Sequence, residues 1–213
     1  TLCGLEIDNL VIEINAKELP LMDGSSLEYV KALKKAGVVE QNAQREWIEI
    51  KEPIVVSRGD ASITALPGPD YKVSYLLDYP HPFLRSQYFG FNVTPEGYEK
   101  ELAPCRTFCL SEEVQELRKS GLGLGANYEN TIVVGKDGVI DNKLRFPDEF
   151  TRHKVLDMVG DLYLLGKPIR GHISAIKSGH SLNLELLKKI DQQKPVTIKN
   201  AFLPDCSLCD HTE

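Results

Sequence analysis

The chain has 213 residues, 42% of them hydrophobic and 26% charged, with a formal net charge of -6. That is enough for one or two domains with a real core, and the acidic balance argues against a nucleic-acid partner. No apolar run reaches transmembrane length, and the odd count of five cysteines argues for a reducing, cytoplasmic setting rather than a disulfide framework.

Thr1 to Gly4 carries no initiating Met and no helix cap, and reads as the last turn of something begun upstream. No signal peptide is visible there. Ile7 to Ile14 alternates apolar residues around Asn9 and Glu13, which predicts a strand. Pro20 and Asp23-Gly24 mark a turn, after which Ser25 or Ser26 can cap a helix that runs to Ala36 and stops at Gly37. The polar connector Val39–Ala43 sets a boundary, giving units 1–43, 44–194 and a tail or linker at 195–213.

Strand signals follow at Trp47–Val56, Ala61–Leu66, Tyr71–Leu77 and Gln87–Val93, separated by Gly, Pro and Asp, and predict an antiparallel meander. Asn92-Val93-Thr94 matches a glycosylation sequon, which has no meaning in a cytosolic protein. Pro95–Glu101 reads as a short helix and Ala103–Leu110 as a strand. Ser111 to Glu113 open a helix that stops at Gly121. Thr131–Val134 and Val139-Ile140 flank a hairpin turn at Lys136-Asp137-Gly138. A strand at His172–Ile176 and a helix over about Ser181–Ile190 complete the ordered part.

The segment Phe146–Asp161 carries the chemistry. Pro147 suits a first helical position, Asp148 and Glu149 suit the positive end of the helix dipole, and Gly166 and Pro168 close the segment after Leu165. Val155, Leu156, Met158, Val159, Leu162, Tyr163 and Leu165 make the helix apolar nearly all round, so it is expected to be buried. His153, Asp157 and Asp161 recur every four residues and share one stripe. Buried charge needs a partner, and a His and an Asp at i and i+4 can reach one metal ion. The alternative is an ordinary His–Asp ion pair on a helix surface. Gly160 is expected to lie close to the His153 edge, where a side chain would block a ligand or neighbouring backbone.

His180, in the turn Lys177-Ser-Gly-His180, is either a structural residue beside a helix start or a catalytic group that Asp161 orients. His81, between Pro80 and Pro82, reads as a rigid loop residue. Gly121-Leu-Gly-Leu-Gly125 follows a helix rather than opening one and lacks a following Lys-Ser/Thr, so it is not a phosphate loop; its leucines suit an apolar wall. Cys206, Cys209 and His211 form one weak metal pattern in a tail read as unstructured, and Cys105 and Cys109 receive no role.

Several segments together resemble the zinc-dependent UDP-3-O-acyl-N-acetylglucosamine deacetylases of lipid A biosynthesis. They are Gly4–Asn9, Pro20–Ser25, Arg106-Thr-Phe108, Leu122–Gly125, Phe146–Leu162 and Lys177-Ser-Gly-His-Ser-Leu-Asn183, in the family's order and spacing to about Ile190. The resemblance implies an α+β fold of two-layer sandwich domains, mainly antiparallel sheets packed against helices. It implies that His153 and Asp157 ligate zinc, that protonated His180 faces the oxyanion with Asp161 supporting it, and that the Thr107 hydroxyl also contacts the oxyanion. Lys154 matches a lysine near the substrate's phosphate and sugar, Phe108 lies at the nucleotide–sugar end, and Val114, Leu122, Leu124 and Tyr128 fall on the acyl passage. The implied substrate is a UDP-linked acyl amino sugar, hydrolysed to acetate and the free amine.

Two departures stand out. Cys109 and Leu110 replace the family's Gly-Phe. The family's remaining zinc ligand and general base are an adjacent Glu-His pair just before the segment matched by Thr1–Asn9, so the chain is expected to be N-terminally truncated. The competing reading is a non-catalytic fragment that retains part of the nucleotide-sugar and acyl groove. A purely structural His–Asp helix would bind no metal. The C-terminal tail matches nothing in the resemblance and leads to a possible fused or following domain.

Overall fold

The computed structural model describes residues 1–16, 19–119, 125–193 and 197–199. Helix α1 (Leu27–Ala36) ends at Gly37, as the sequence predicts, with Gly37 at φ 86° closing it through bonds to the Leu33 and Lys34 carbonyls. Its start differs in detail. Ser26 occupies the N-cap without a side-chain cap. The Ser25 hydroxyl instead accepts from the Leu27 N–H, and the Ser26 hydroxyl pairs with the Tyr98 hydroxyl.

Ten strands are present among the described residues. The span expected to be one strand from Trp47 to Val56 is two, β1 (Glu46–Glu49) and β2 (Ile54–Arg58). Pro53 falls between them and has no N–H to offer a ladder. Strands β3 (Ala61–Leu66), β4 (Tyr71–Leu77) and β5 (Gln87–Asn92) follow. Next come the single turn α2 (Pro95–Gly97), continued by a π turn over Tyr98–Leu102, and the short strand β6 (Phe108–Leu110). The longer strand expected from Ala103 does not form. Ala103, Cys105 and Arg106 are buried, and the Arg106 N–H bonds to the Glu149 carboxylate instead of to a ladder.

Helix α3 (Val114–Lys119), strands β7 (Ile132–Gly135) and β8 (Gly138–Ile140), helix α4 (Glu149–Leu162), strand β9 (Ile169–Ile176), helix α5 (His180–Gln192) and strand β10 (Thr197–Lys199) complete the order. β10 pairs antiparallel with β1, so the stretch read as a loose tail contains a strand. Ile7–Ile14 forms no strand, and Leu10, Val11, Ile12 and Ile14 are exposed. Its alternation has no ladder partner among the described residues.

β9 is the hub of a seven-stranded sheet. It pairs parallel with β4 along Gly171–Ile176, antiparallel with β3 over His172–Ile176, and parallel with β1 at Ile169–Arg170. The expected meander is therefore broken, because β9 lies between β3 and β4. Antiparallel pairings still outnumber parallel ones, and a second sheet holds β6, β7 and β8. Helices α4 and α5 pack on each other and on the large sheet, α4 against β4 and β5 and α5 against β2 and β3. Ile63, Ala65, Val73, Tyr75, Ile173 and Ala175 face them with Val155, Met158, Leu182 and Leu186 in one core. The architecture is α+β.

Candidate active site

One helix presents the site. α4 starts at Glu149, which the sequence places at the positive end of the helix dipole and which is fully buried. Its carboxylate accepts from Arg106 Nε at 2.9 Å, from Arg106 N at 3.0 Å and from Arg145 N at 2.6 Å. The Arg106 guanidinium also donates to Asn142 Oδ1 and the Lys143 carbonyl. A buried pair is costly unless its remaining hydrogen bonds are made, and here they are. The pair ties the start of α4 to the loop Cys105–Thr107.

That loop meets the first His–Asp pair. The Cys105 carbonyl lies 3.1 Å from His153 Nδ1. A carbonyl only accepts, so Nδ1 carries the proton and the Nε2 lone pair points the other way. There Asp157 Oδ1 stands 3.3 Å from Nε2. A charge-assisted N–H···O bond would close to about 2.7–2.9 Å. Ligands at about 2.0–2.1 Å from a tetrahedral zinc are separated by about 3.3–3.4 Å. The observed gap matches two vertices of such a tetrahedron, and both side chains are largely shielded from solvent. The donor set therefore suits zinc, but no group of three or more His, Cys, Asp or Glu is placed to hold a metal among the described residues.

Lys154 sits beside this pair. Its Nζ is 3.2 Å from Asp157 Oδ2 and 5.7 Å from the centre of the Phe108 ring. Phe108 packs edge-on against Phe150 and Tyr79, at centroid distances of 5.0 and 6.3 Å. Thr107 is held by its backbone: its N–H donates to the Gly24 carbonyl and its carbonyl accepts from Ile132. Gly24, at φ 79°, has no room for a side chain, because a Cβ would lie 1.7 Å from the Asn130 carbonyl oxygen.

One turn along α4, Asp161 faces α5. Its Oδ2 accepts from His180 Nδ1 at 2.8 Å and from Asn183 Nδ2 at 2.9 Å. The bond to Asp161 raises the His180 pKa above its ordinary value against the opposing effect of partial burial. The structure thus brings His153, Lys154, Asp157, Asp161 and His180 onto one face, with Cys105–Phe108 beside its first turn.

Other sequence readings are placed elsewhere. Gly160 does not crowd His153: it is exposed, and an added Cβ would meet nothing within 4 Å. His81 accepts from the Phe83 N–H at the head of a 3-10 turn. Burial pushes the Cys105 thiol up to about 12, so it stays a thiol at neutral pH. Val114 opens α3, and Tyr128 is exposed. Leu122, Leu124, Cys206, Cys209 and His211 lie outside the described residues. Sequence reasoning gave no role to Glu149 beyond the dipole, nor to Arg106, Ser178 or Asn183. Only their membership in the quoted motifs could have singled them out.

Comparison with known proteins identifies the family. A family model described as UDP-3-O-acyl N-acetylglycosamine deacetylase matches residues 1–192. The chain is 43% identical over 206 residues to a protein of Saccharophagus degradans, with 93% of this chain and 68% of that protein covered. It is 38% identical over 209 residues to one of Oleidesulfovibrio alaskensis, covering 98% and 68%, and 42% identical over 195 residues to one of Citrifermentans bemidjiense, covering 89% and 64%. All three carry the name UDP-3-O-acyl-N-acetylglucosamine deacetylase. The chain spans about two thirds of the length of these relatives.

Proposed function

Because the chain belongs to the UDP-3-O-acyl N-acetylglycosamine deacetylase family, we propose that it removes acetate from a UDP-linked 3-O-acyl-N-acetylglucosamine in lipid A biosynthesis. The observation that carries the reading is the pair of His–Asp contacts on α4, one left without a bridging hydrogen bond and one closed by it. The reaction is hydrolysis: water adds to the acetamide carbonyl, the C–N bond breaks, and acetate and the free amine leave.

His153 Nε2 and Asp157 Oδ1 are the groups that would hold zinc. The ion, when bound, supplies Lewis-acid charge that activates water and polarises the amide. A general base must take the water's proton, a role assigned to none of the residues named below; this chain's own residues carry the remaining roles. His180, kept protonated by Asp161, faces the developing oxyanion and delivers a proton to the leaving nitrogen. The Thr107 hydroxyl adds a second donor there. Lys154, poised beside Asp157 and the Phe108 ring, meets the phosphate and sugar, with Phe108 at the nucleotide–sugar end. Val114, Leu122, Leu124 and Tyr128 border the acyl chain, an apolar wall beside a polar site. Residues 1–43 are the closing part of one deacetylase domain and residues 44–194 a second, and a cytoplasmic location follows from this role. No described helix is long and apolar enough to cross a membrane.

The test is acetate release from the UDP-linked N-acetyl sugar by the full-length protein. Activity should vanish with a chelator and return with zinc. Undiminished turnover after complete metal removal would rule out the metal-assisted route. Absence of any acetate release by the zinc-loaded protein would rule out the activity.

A further inference from the structure

The turn between β9 and α5 is clamped from the sheet side. Lys177 adopts φ 52°, and its N–H donates to the Leu76 carbonyl at 3.0 Å. The Tyr75 hydroxyl donates to the Ser178 carbonyl. Ser178 is itself buried, and its hydroxyl donates to Asn183 Oδ1 at 2.6 Å. That bond decides which way the Asn183 amide faces. With Oδ1 committed to Ser178, Nδ2 is turned toward Asp161 and donates to Oδ2 at 2.9 Å. The flipped amide would set its oxygen against a carboxylate oxygen, acceptor against acceptor. Asp161 Oδ2 is also the atom that receives His180 Nδ1.

Asn183 is only 2% exposed on the inner face of α5, where Leu182, Leu186 and Ile190 already supply the apolar contacts. A buried amide stabilises nothing that a leucine would not, unless its hydrogen bonds are needed. Both of its side-chain hydrogen bonds run to the site: one to the turn that places His180 and one to the carboxylate that holds it.

We propose that Asn183, its amide locked by Ser178, is a positioning residue that fixes the Asp161 carboxylate so that Oδ2 meets His180. This rests on the deacetylase reading for its kinetic consequence only. In the full-length protein, Asn183→Ala is expected to lower kcat by up to about 10²-fold, the size of loss a small misplacement causes, with KM and metal content unchanged. In an Asp161→Ala background the same change should cost nothing more, because its effect passes through that carboxylate. Unchanged kcat, or losses that multiply in the double variant, would overturn the inference. Ser178→Ala, which removes a single hydroxyl, gives a milder loss with the same dependence on Asp161 and serves where Asn183→Ala does not fold. A reading independent of turnover is the His180 Nδ1 proton resonance, which should exchange faster with water in both variants. If it persists unchanged in both, Asn183 positions nothing. If the resonance responds while the wild-type protein releases no acetate, the positioning holds and the deacetylase reading falls.

Discussion

Two His–Asp pairs stand one turn apart along α4 and do opposite things with the same residue types. In the first, both partners lie on one helix, the carbonyl of Cys105 claims the Nδ1 proton, and the carboxylate stops 3.3 Å short of Nε2. In the second, the partners come from different helices and close to 2.8 Å through Nδ1 itself. The first leaves a lone pair and a carboxylate oxygen facing each other, an arrangement that attracts a cation. The second raises the pKa of His180 through its bond to Asp161. Which ring nitrogen is engaged, and by what, separates a ligand from an acid more than the identity of the residues does.

The comparison breaks at its most sensitive point if the first pair is not a metal site. His153→Ala or Asp157→Ala should abolish zinc retention and reduce acetate release to background; stoichiometric metal in either variant would return the pair to an ordinary ion pair. His180→Ala should keep its metal and lose about 10²–10³-fold in kcat, the range for removal of one preorganised oxyanion donor. Loss of metal with it would merge the two pairs into one site. Glu149→Ala removes the brace beneath Cys105. Leaving the Arg106 charge buried and unpaired costs about 3–5 kcal/mol of stability, measurable by denaturant unfolding, and a change below 1 kcal/mol would mean that the pair is solvated.

The second pair is sharpened by pH. The folded His180 titrates above its usual 6.5. Its contribution to stability is therefore fully present below the unfolded pKa and is lost as pH rises through the folded value. Asp161→Asn should lower the His180 pKa, seen by NMR titration, and shift the alkaline limb of kcat to lower pH; an unmoved titration would show that Asp161 is not the cause. The smallest effect is expected at Gly160→Ala. The added methyl meets nothing, so metal retention should be unchanged and the helix more stable by about 0.5–1 kcal/mol; loss of metal would restore the view that this position guards the site.

Much of this was legible in the sequence because local patterns carry it. The i, i+4 spacing put His153, Asp157 and Asp161 on one stripe, and Gly37 and Pro53 marked real stops, although Pro53 was passed over within a single strand. Pairing was not legible. Nothing in Tyr71–Leu77 says that its parallel neighbour is a hundred residues onward, since a ladder partner is chosen by the whole sheet. Ile7–Ile14 shows the converse, an alternation that predicts a strand but finds no partner. Glu149 looked like a dipole residue until Arg106 arrived from a distant loop, and Asn183 passed as part of a motif whose inner wiring only tertiary contacts reveal.

The hub position of β9 has a consequence for how the site comes apart. Its residues His172–Ile176 are paired on both edges, and Lys177, the next residue, is bonded to Leu76. Edge strands such as β5 can fray by themselves, whereas opening β9 requires the sheet to divide. In hydrogen exchange, the backbone entering the His180 turn should therefore be among the last to give up its amide protons. The His180 end of the face is thus rooted in the doubly paired strand of the sheet, and its geometry is expected to survive local fluctuations that open the edge strands.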